Sequence, residues 1–150
     1  MKIRFICLVI VLLATGVSSV IYAQQPTRTM SHTKDPQHKV VVQFSSPDTL
    51  SQGALIKNLN NLLKGLPNAQ VEVVFHGPGI DMMLTQSSKY ANLLEDLSKK
   101  GVTLAVCENT LRSRKLDKTS ILSFGQTVPS GVVEVILKQE QGWAYLKGGL

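Results

Sequence analysis

The chain has 150 residues, and its 16 Lys and Arg residues outnumber its 10 Asp and Glu residues, for a formal net charge of +6. This length corresponds to a single domain of ordinary size. The basic residues are scattered, and aromatic residues make up only 5% of the chain. The sequence therefore lacks the basic patch with interleaved aromatic side chains that is typical of nucleic-acid binding, and we predict no nucleic acid as a partner.

The first 23 residues have the pattern of a secretory signal peptide. Lys2 and Arg4 form a short basic start, residues 5–14 are a nearly unbroken apolar run, and Ala23 offers a small residue for cleavage. The alternative is a retained membrane anchor, but the run is shorter than the ~20 apolar residues that a spanning helix needs. We predict that residues 1–23 are removed, that the protein is periplasmic or secreted, and that it has no membrane association afterwards.

The domain itself is predicted to begin after a flexible leader. Residues 24–37 contain two prolines and many polar residues without periodicity, which predicts that a leader precedes a single domain at 38–150. A Val-rich run at 38–44 is typical of a strand buried on both faces. Ser46 or Asp48 then supplies the N-cap of a helix, whose leucines recur at helical spacing.

Strands and helices continue to alternate through the middle of the chain. Residues 71–76 predict a second strand and residues 102–107 a third, because both are short apolar runs rich in valine. A helix is predicted at 90–99, where two lysines favour the negative end of the helix dipole. A loop with one helical turn is predicted at 77–84, and a short helix at 109–115.

The last third of the chain adds two more strands. Residues 125–128 predict a short fourth strand and residues 143–147 a fifth. The segment 130–141 fits either a Val-rich strand or a helix, and its Pro-Ser-Gly start and polar end favour the helix. Strands that alternate with helices predict an α/β fold in which helices cover both faces of a parallel sheet.

Polar and reactive residues follow the first three predicted strands. In an open parallel sheet, ligands bind beyond the carboxyl ends of the strands. The candidate site residues are therefore Ser45, Ser46 and Asp48 after the first strand, His76 after the second, and Cys107, Glu108 and Asn109 after the third.

Cys107 is the most informative of these residues. Cys7 leaves with the predicted signal peptide, so Cys107 is the lone thiol of an exported domain and has no internal disulfide partner. A thiol between a strand end and a helix start lies near free backbone N–H groups, which lower its pKa, and Arg112 adds positive charge. The alternative is a buried structural cysteine that packs as a small hydrophobic residue.

The other candidate chemistry is less well supported. His76 is a possible base or hydrogen-bond partner for a thiolate, and the alternative is a histidine satisfied by the 77–79 backbone. Asn109 fits the N-cap of a helix better than the role of orienting a histidine. His32 and His38 lie in or beside the leader, so no His/Cys ligand set predicts a metal. No glycine-rich phosphate or dinucleotide motif predicts a cofactor.

Four segments together resemble the DsrE/DsrF-like family, in particular its small exported members. They are VVVQFSSPD, VEVVFHGPGIDMML, GVTLAVCENTLRSRKL and VPSGVVEVILKQEQGWAYLK, and the resemblance spans residues 38–147. It implies a three-layer α/β/α fold whose five parallel strands follow the order 3-2-1-4-5. The strands that end at His76 and Cys107 would then be neighbours. The resemblance also implies assembly into trimers or hexamers.

The family resemblance suggests a chemistry for Cys107. In sulfur-relay members, a cysteine after the third strand carries sulfane sulfur as a persulfide, and Cys107 matches that position. The resemblance thus implies an exported sulfur carrier or sulfurtransferase with Cys107 and His76 as catalytic residues and a sulfur donor or acceptor protein as partner. The residues expected to stabilise the thiolate or line the cleft are Asn109, Arg112, Ser45 and Asp48. The alternative is a non-enzymatic oligomeric module that binds a small ligand or a partner, with Cys107 as a structural residue.

Overall fold

A computed structural model describes residues 37–150 of the protein. The predicted signal peptide at 1–23, and all but the last residue of the predicted leader at 24–37, lie outside this part. Within the described residues, no helix combines the length and the apolar character that crossing a membrane requires.

Strands and helices alternate throughout the described part of the chain, as the sequence predicts. The elements are β1 (Lys39–Phe44), α1 (Thr49–Gly65), β2 (Gln70–Phe75), α2 (Ala91–Lys99), β3 (Thr103–Cys107), α3 (Glu108–Ser113), β4 (Gln126–Val128), α4 (Gly131–Glu140) and β5 (Ala144–Lys147). Two 3₁₀ segments, Gly77–Met83 and Lys118–Ser120, lie in the connections after β2 and α3. The Val-rich segment at 130–141 is thus a helix, which confirms the preferred interpretation.

The α/β fold is confirmed, but the order of the strands differs from the implied order at one position. All neighbouring strands are parallel, and the sheet has the order β4-β3-β2-β1-β5. The neighbours 3-2-1 are as expected, whereas β4 lies outside β3 and not between β1 and β5. Only three residues long, β4 follows the short α3 connection and pairs Val128 with Cys107. The chain therefore returns beside the strand it has just left, and the place next to β1 is taken by β5.

The two faces of the sheet have cores of different size. Alternate residues of β1, such as Val40 and Phe44, face a large core to which α1 and α2 contribute Leu55, Leu59 and Leu94. The opposite face, here called the α4 face, packs a smaller core of Val41, Val74, Ala105 and Val135. Because one short helix covers the α4 face, several apolar side chains of α4 stay about half exposed; they are Val132, Val133, Ile136 and Leu137.

The start of α1 shows how local sequence places a helix at the end of a strand. The Asp48 carboxylate accepts a hydrogen bond from the backbone N–H of Ser51 at 2.7 Å, which satisfies one of the free donors of the first turn. Of the two predicted caps, Asp48 is therefore the one used. Ser46 instead accepts a hydrogen bond from the backbone N–H of Asp48 at 3.1 Å.

Candidate functional site at the ends of β2 and β3

His76 and Cys107 lie side by side at the carboxyl edge of the sheet. The parallel register pairs Phe75 with Val106, so the next residue on each strand is a candidate site residue. Neighbouring strands are ~4.8 Å apart, and alternate residues share a face. His76 and Cys107 therefore both face α4, as Val74 does two residues before His76.

The first turn of α4 packs directly on this pair of residues. A Cβ atom at Gly131 would lie 3.0 Å from His76 Cβ, 3.2 Å from Cys107 Cβ and 3.2 Å from Val74 Cγ1. These atoms are anchored to strand backbone and have little freedom to move away. Only glycine thus lets the N-terminus of α4 approach so closely. The sequence analysis used Gly131 as part of a helix start and did not recognise it as a site residue.

Donor groups around the Cys107 sulfur make its thiolate easier to form. Only 5% of the residue is exposed, and burial is the largest single influence on the thiol, raising its pKa. The Thr110 side chain and the backbone N–H groups of Gly131, Thr110 and Asn109 act in the opposite direction and together outweigh burial. The net result is that the pKa of Cys107 lies below its usual value. Donors that converge on a sulfur favour its anionic form.

The Thr110 hydroxyl is oriented by a second hydrogen bond. Its oxygen accepts the backbone N–H of Gly77 at 3.0 Å, and Gly77 has a φ of 52°, in the left-handed region that favours glycine. Because a hydroxyl has one proton and that proton is not used at Gly77, it is available to the sulfur of Cys107. The sequence analysis missed Thr110, although its position three residues after the cysteine places it one helical turn away.

His76 forms its side-chain hydrogen bond away from the thiol. Its Nε2 lies 2.8 Å from Gln43 Nε2, and Gln43 Oε1 accepts the Tyr145 hydroxyl at 2.6 Å. With the amide oriented this way, Nε2 of the imidazole is an acceptor and the ring proton is on Nδ1. Burial lowers the pKa of His76, so the neutral form is favoured. Within the described residues, no hydrogen bond joins His76 to Cys107.

The side chains of Asn109 and Arg112 form hydrogen bonds with each other and not with the thiol. Arg112 donates to Asn109 Oδ1, and it lies 3.5 Å from Glu108 Oε2. Asn109 is inside α3 and not at its N-cap, because the position before the helix is occupied by Cys107. The expected cap role of the Asn109 side chain is therefore wrong. The backbone N–H of Asn109 donates to Pro129 O at 3.3 Å, and it is also the smallest of the influences that lower the pKa of Cys107.

The carboxylate of Glu108, which is next to Cys107 in the chain, is bonded to other partners. Its Oε1 accepts Lys118 Nζ at 2.5 Å and the Thr127 hydroxyl at 2.7 Å. The hydrogen bond from Lys118 is the main reason that the pKa of Glu108 lies below its usual value. The carboxylate is thus held among donors and is not hydrogen-bonded to the sulfur of Cys107.

Ser45 and Asp48 occupy different places at the end of β1. Asp48 is fully committed to the start of α1, and the backbone N–H of Ser51 holds its pKa below the usual value. Ser45 lines a cavity of about 260 Å³ beyond the carboxyl ends of β1 and β5, together with Gln43, Ser46, Tyr145, Lys147, Gly148 and Leu150. The structure therefore connects Ser45 to the site through Gln43, and it leaves Asp48 in a capping role.

A second cavity lies on the Thr110 side of the thiol. Its volume is about 390 Å³, and it is lined by Gly77, Pro78, Asp81, Thr110, Ser113 and Arg114. Arg114 Nη1 and Asp81 Oδ1 form an ion pair of 2.7 Å there. Among residues 37–150, no group of three or more His, Cys, Asp or Glu side chains is arranged to hold a metal ion. The chemistry that this edge of the sheet can support is that of a stabilised thiolate.

Comparisons with known proteins agree with the fold and with the segments singled out in the sequence. A model of the DsrE/DsrF-like family matches residues 38–147. A solved structure of a protein of unknown function from Methanobacterium thermoautotrophicum is similar to 74% of this chain and 99% of its own, with 31% identity and a TM-score of 0.71. No curated protein matches the chain.

Two more distant structures share the fold alone. The ychN protein from E. coli is 17% identical, with a TM-score of 0.59 over 75% of this chain and 99% of its own. A conserved protein of unknown function from Bacteroides thetaiotaomicron is 12% identical, with a TM-score of 0.61 over 73% of this chain and 93% of its own. These likenesses support the architecture of the domain and carry no argument about its chemistry.

Proposed function

Because the chain belongs to the DsrE/DsrF-like family, which is associated with sulfur relay, we propose that it is a sulfur carrier that forms a persulfide on Cys107. The observation that carries this proposal is the set of donors around the thiol. The hydroxyl of Thr110 and three backbone N–H groups favour the thiolate of Cys107 in spite of its burial. A thiolate is the form of cysteine that attacks sulfur.

The proposed step is a thiol–persulfide exchange. The Cys107 thiolate attacks the outer, sulfane sulfur of a donor R–S–SH, a new S–S bond forms on Cys107 Sγ, and the S–S bond of the donor breaks. The donor leaves as R–S⁻ and takes a proton from solvent, while the persulfide on Cys107 loses its proton to solvent. No oxidant or reductant is consumed, because the sulfane sulfur moves without a net change in the two thiols.

We assign to His76 the role of orienting the donor. Its Nε2 is occupied by Gln43, and its Nδ1–H is the remaining donor of the neutral ring. That N–H is suited to a hydrogen bond with the leaving sulfur at the strand end next to Cys107. His76 would thereby stabilise the developing negative charge without transferring its own proton.

Mass spectrometry after alkylation tests this function. The full chain is incubated with a sulfane-sulfur donor, trapped with a thiol alkylator, and compared with the Cys107→Ser variant. We expect the peptide that contains Cys107 to gain the mass of one sulfur atom in the wild type alone. A wild-type protein that gains no sulfur, or a serine variant that gains the same mass, would overturn the proposal.

A second candidate is a non-enzymatic binding module in which Cys107 is structural. The exposure of only 5% at Cys107 favours this alternative, because inert structural cysteines are typically buried. Slow alkylation of native Cys107 with a midpoint at or above the usual thiol pKa of ~8.5 would support it. A midpoint well below that value would support the carrier.

Assembly and export complete the proposed function. We propose that α4 packs against a second copy of the chain in a trimer or hexamer, because this one helix has four apolar side chains about half exposed: Val132, Val133, Ile136 and Leu137. The signal pattern at residues 1–23 supports export. Light scattering measures the assembly, and a monomer would contradict it. Fractionation of cells that produce the full chain measures export, and a cytoplasmic protein would contradict that proposal.

A further inference from the structure

We propose that the cavity at the ends of β1 and β5 binds the anionic end of the sulfur donor, and that this donor is a low-molecular-weight thiol persulfide that carries a carboxylate. The inference rests on the proposed function of Cys107 and names its substrate class. Gln43 joins the cavity of about 260 Å³ to His76, because it lines the cavity and hydrogen-bonds the imidazole.

The lining of the cavity is suited to an anion. Lys147 is the one charged side chain among its lining residues, and within residues 37–150 no carboxylate forms an ion pair with it. The Ser46 hydroxyl accepts from the backbone N–H of Asp48 at 3.1 Å, so its own proton is available to a ligand. An ammonium group with neighbouring hydroxyl donors is a typical carboxylate-binding set.

The position of the cavity sets the length of the donor. The strands run in the order β3-β2-β1-β5 from Cys107 to the cavity, so the two are between two and three strand spacings apart, or roughly 10–14 Å. Thiosulfate has its charge next to its sulfane sulfur and does not span this distance. A small cysteine-containing peptide does, since extended residues span ~3.5 Å each.

The burial of Cys107 agrees with this class of donor. Cys107 is only 5% exposed and lies against the first turn of α4. Its thiol is therefore accessible to a narrow terminal sulfur and not to the broad surface of another protein. A persulfide at the end of a cysteine side chain has this shape. A carboxylate bound at Lys147 would hold the rest of the donor across His76 and Gln43, which places the sulfane sulfur at the thiolate.

Two persulfides and one charge reversal test the proposal. The rate at which Cys107 gains sulfur is measured against the concentration of glutathione persulfide, which has two carboxylates, and of 2-mercaptoethanol persulfide, which has none. For Lys147→Glu we expect the KM for glutathione persulfide to rise about tenfold, the loss expected for a charge-assisted hydrogen bond. The rate at saturation and both constants for the uncharged donor should stay as in the wild type.

Lys39→Glu is the matched control. Lys39 is the first residue of β1, at the amino ends of the strands and away from the cavity, and its substitution gives the same change in net charge. The cavity assignment would be overturned if Lys39→Glu raised the KM for glutathione persulfide as much as Lys147→Glu does. It would also be overturned if Lys147→Glu changed the KM for both persulfides equally. Binding of glutathione itself is measured separately by NMR shifts at Ser45 and Gly148. Glutathione that binds there without any donor loading Cys107 would leave the cavity assigned as an anion site and overturn the carrier function. Absence of both binding and loading would overturn both.

Discussion

The Thr110→Val substitution removes the hydroxyl that donates to Cys107 while it keeps the branched shape of the side chain. A hydrogen bond to a charged group contributes about 1.5–3 kcal/mol, and one pKa unit corresponds to about 1.4 kcal/mol. Dividing the first figure by the second, we expect the pKa of Cys107 to rise by about one to two units. The rise is limited to this one interaction, because the backbone N–H groups near the sulfur are unchanged. The pH at which half of Cys107 is thiolate should move upward by the same amount.

The same substitution is also expected to lower the stability of the folded domain. The backbone N–H of Gly77, which donates to Thr110 Oγ1 at 3.0 Å, loses its partner in the valine variant. A fully buried unsatisfied donor costs about 1–3 kcal/mol; this N–H is part-buried, so we expect a smaller loss of stability, seen as unfolding at a lower urea concentration. Thr110→Ser keeps the hydroxyl and is the control for both effects, with a pKa close to that of the wild type.

The pKa is measured as the midpoint of the alkylation rate against pH, with iodoacetamide as the reagent. The reaction is followed on the peptide that contains Cys107, because Cys7 is a second thiol in the full chain. The reasoning is refuted if the valine variant has the midpoint of the wild type, or if the serine variant shifts as far as the valine variant. Either result would show that the Thr110 hydroxyl does not stabilise the thiolate.

Three further substitutions test other parts of the site. Gly131→Ala adds a Cβ within 3.0–3.2 Å of strand atoms; it should destabilise the domain by about 1–3 kcal/mol in urea unfolding and raise the pKa of Cys107 by moving a backbone donor. Gln43→Leu removes the amide that bonds His76 Nε2, and imidazole ¹⁵N spectra should change from the Nδ1–H form to a mixture of tautomers. Val133→Glu places a charge on the half-exposed apolar side of α4 and should yield monomers in light scattering.

Each of these substitutions has a matched control. At Gly53 a Cβ would meet only the end of the Tyr90 side chain, at 3.3 Å, so Gly53→Ala should leave the unfolding midpoint nearly unchanged. Gln139→Leu removes an amide of α4 that donates to Val135 O and not to His76, so it should keep the His76 tautomer. Leu93 on α2 is as exposed as Val133, and Leu93→Glu should preserve the oligomer. A control that behaves like its partner variant would contradict the corresponding argument.

Much of the fold was predictable because its signals are local. Short Val-rich runs indicated β1, β2 and β3, and leucines at helical spacing indicated α1 and α2. Asp48 was one of two predicted caps, and both lie within three residues of the helix they precede. Cys107 and His76 were found for the same reason, since the end of a strand can be read from the sequence around it.

The position of β4 was not predictable from its own residues. A three-residue strand buries little surface, so its sequence carries almost no preference for one neighbour over another. The length and path of the connection after α3 place it outside β3. The resemblance implied a position between β1 and β5, and only the register with Ala105 and Cys107 corrects it.

The chain by itself determined that a thiol ends the third strand, with a histidine at the end of the second, because both follow from nearest-neighbour patterns. Only the tertiary structure decided what those side chains bond. Gln43 and His76 are 33 residues apart, as are Gly77 and Thr110, and Tyr145 reaches Gln43 across 102 residues. Hydrogen-bond direction depends on which atoms packing brings within about 3 Å, and helical or strand periodicity contains no information on such distant pairs. For this reason the Thr110–Gly77 and His76–Gln43 hydrogen bonds appear only in the folded domain. The backbone N–H groups that directly follow Cys107 were predicted, because they depend only on a helix beginning there.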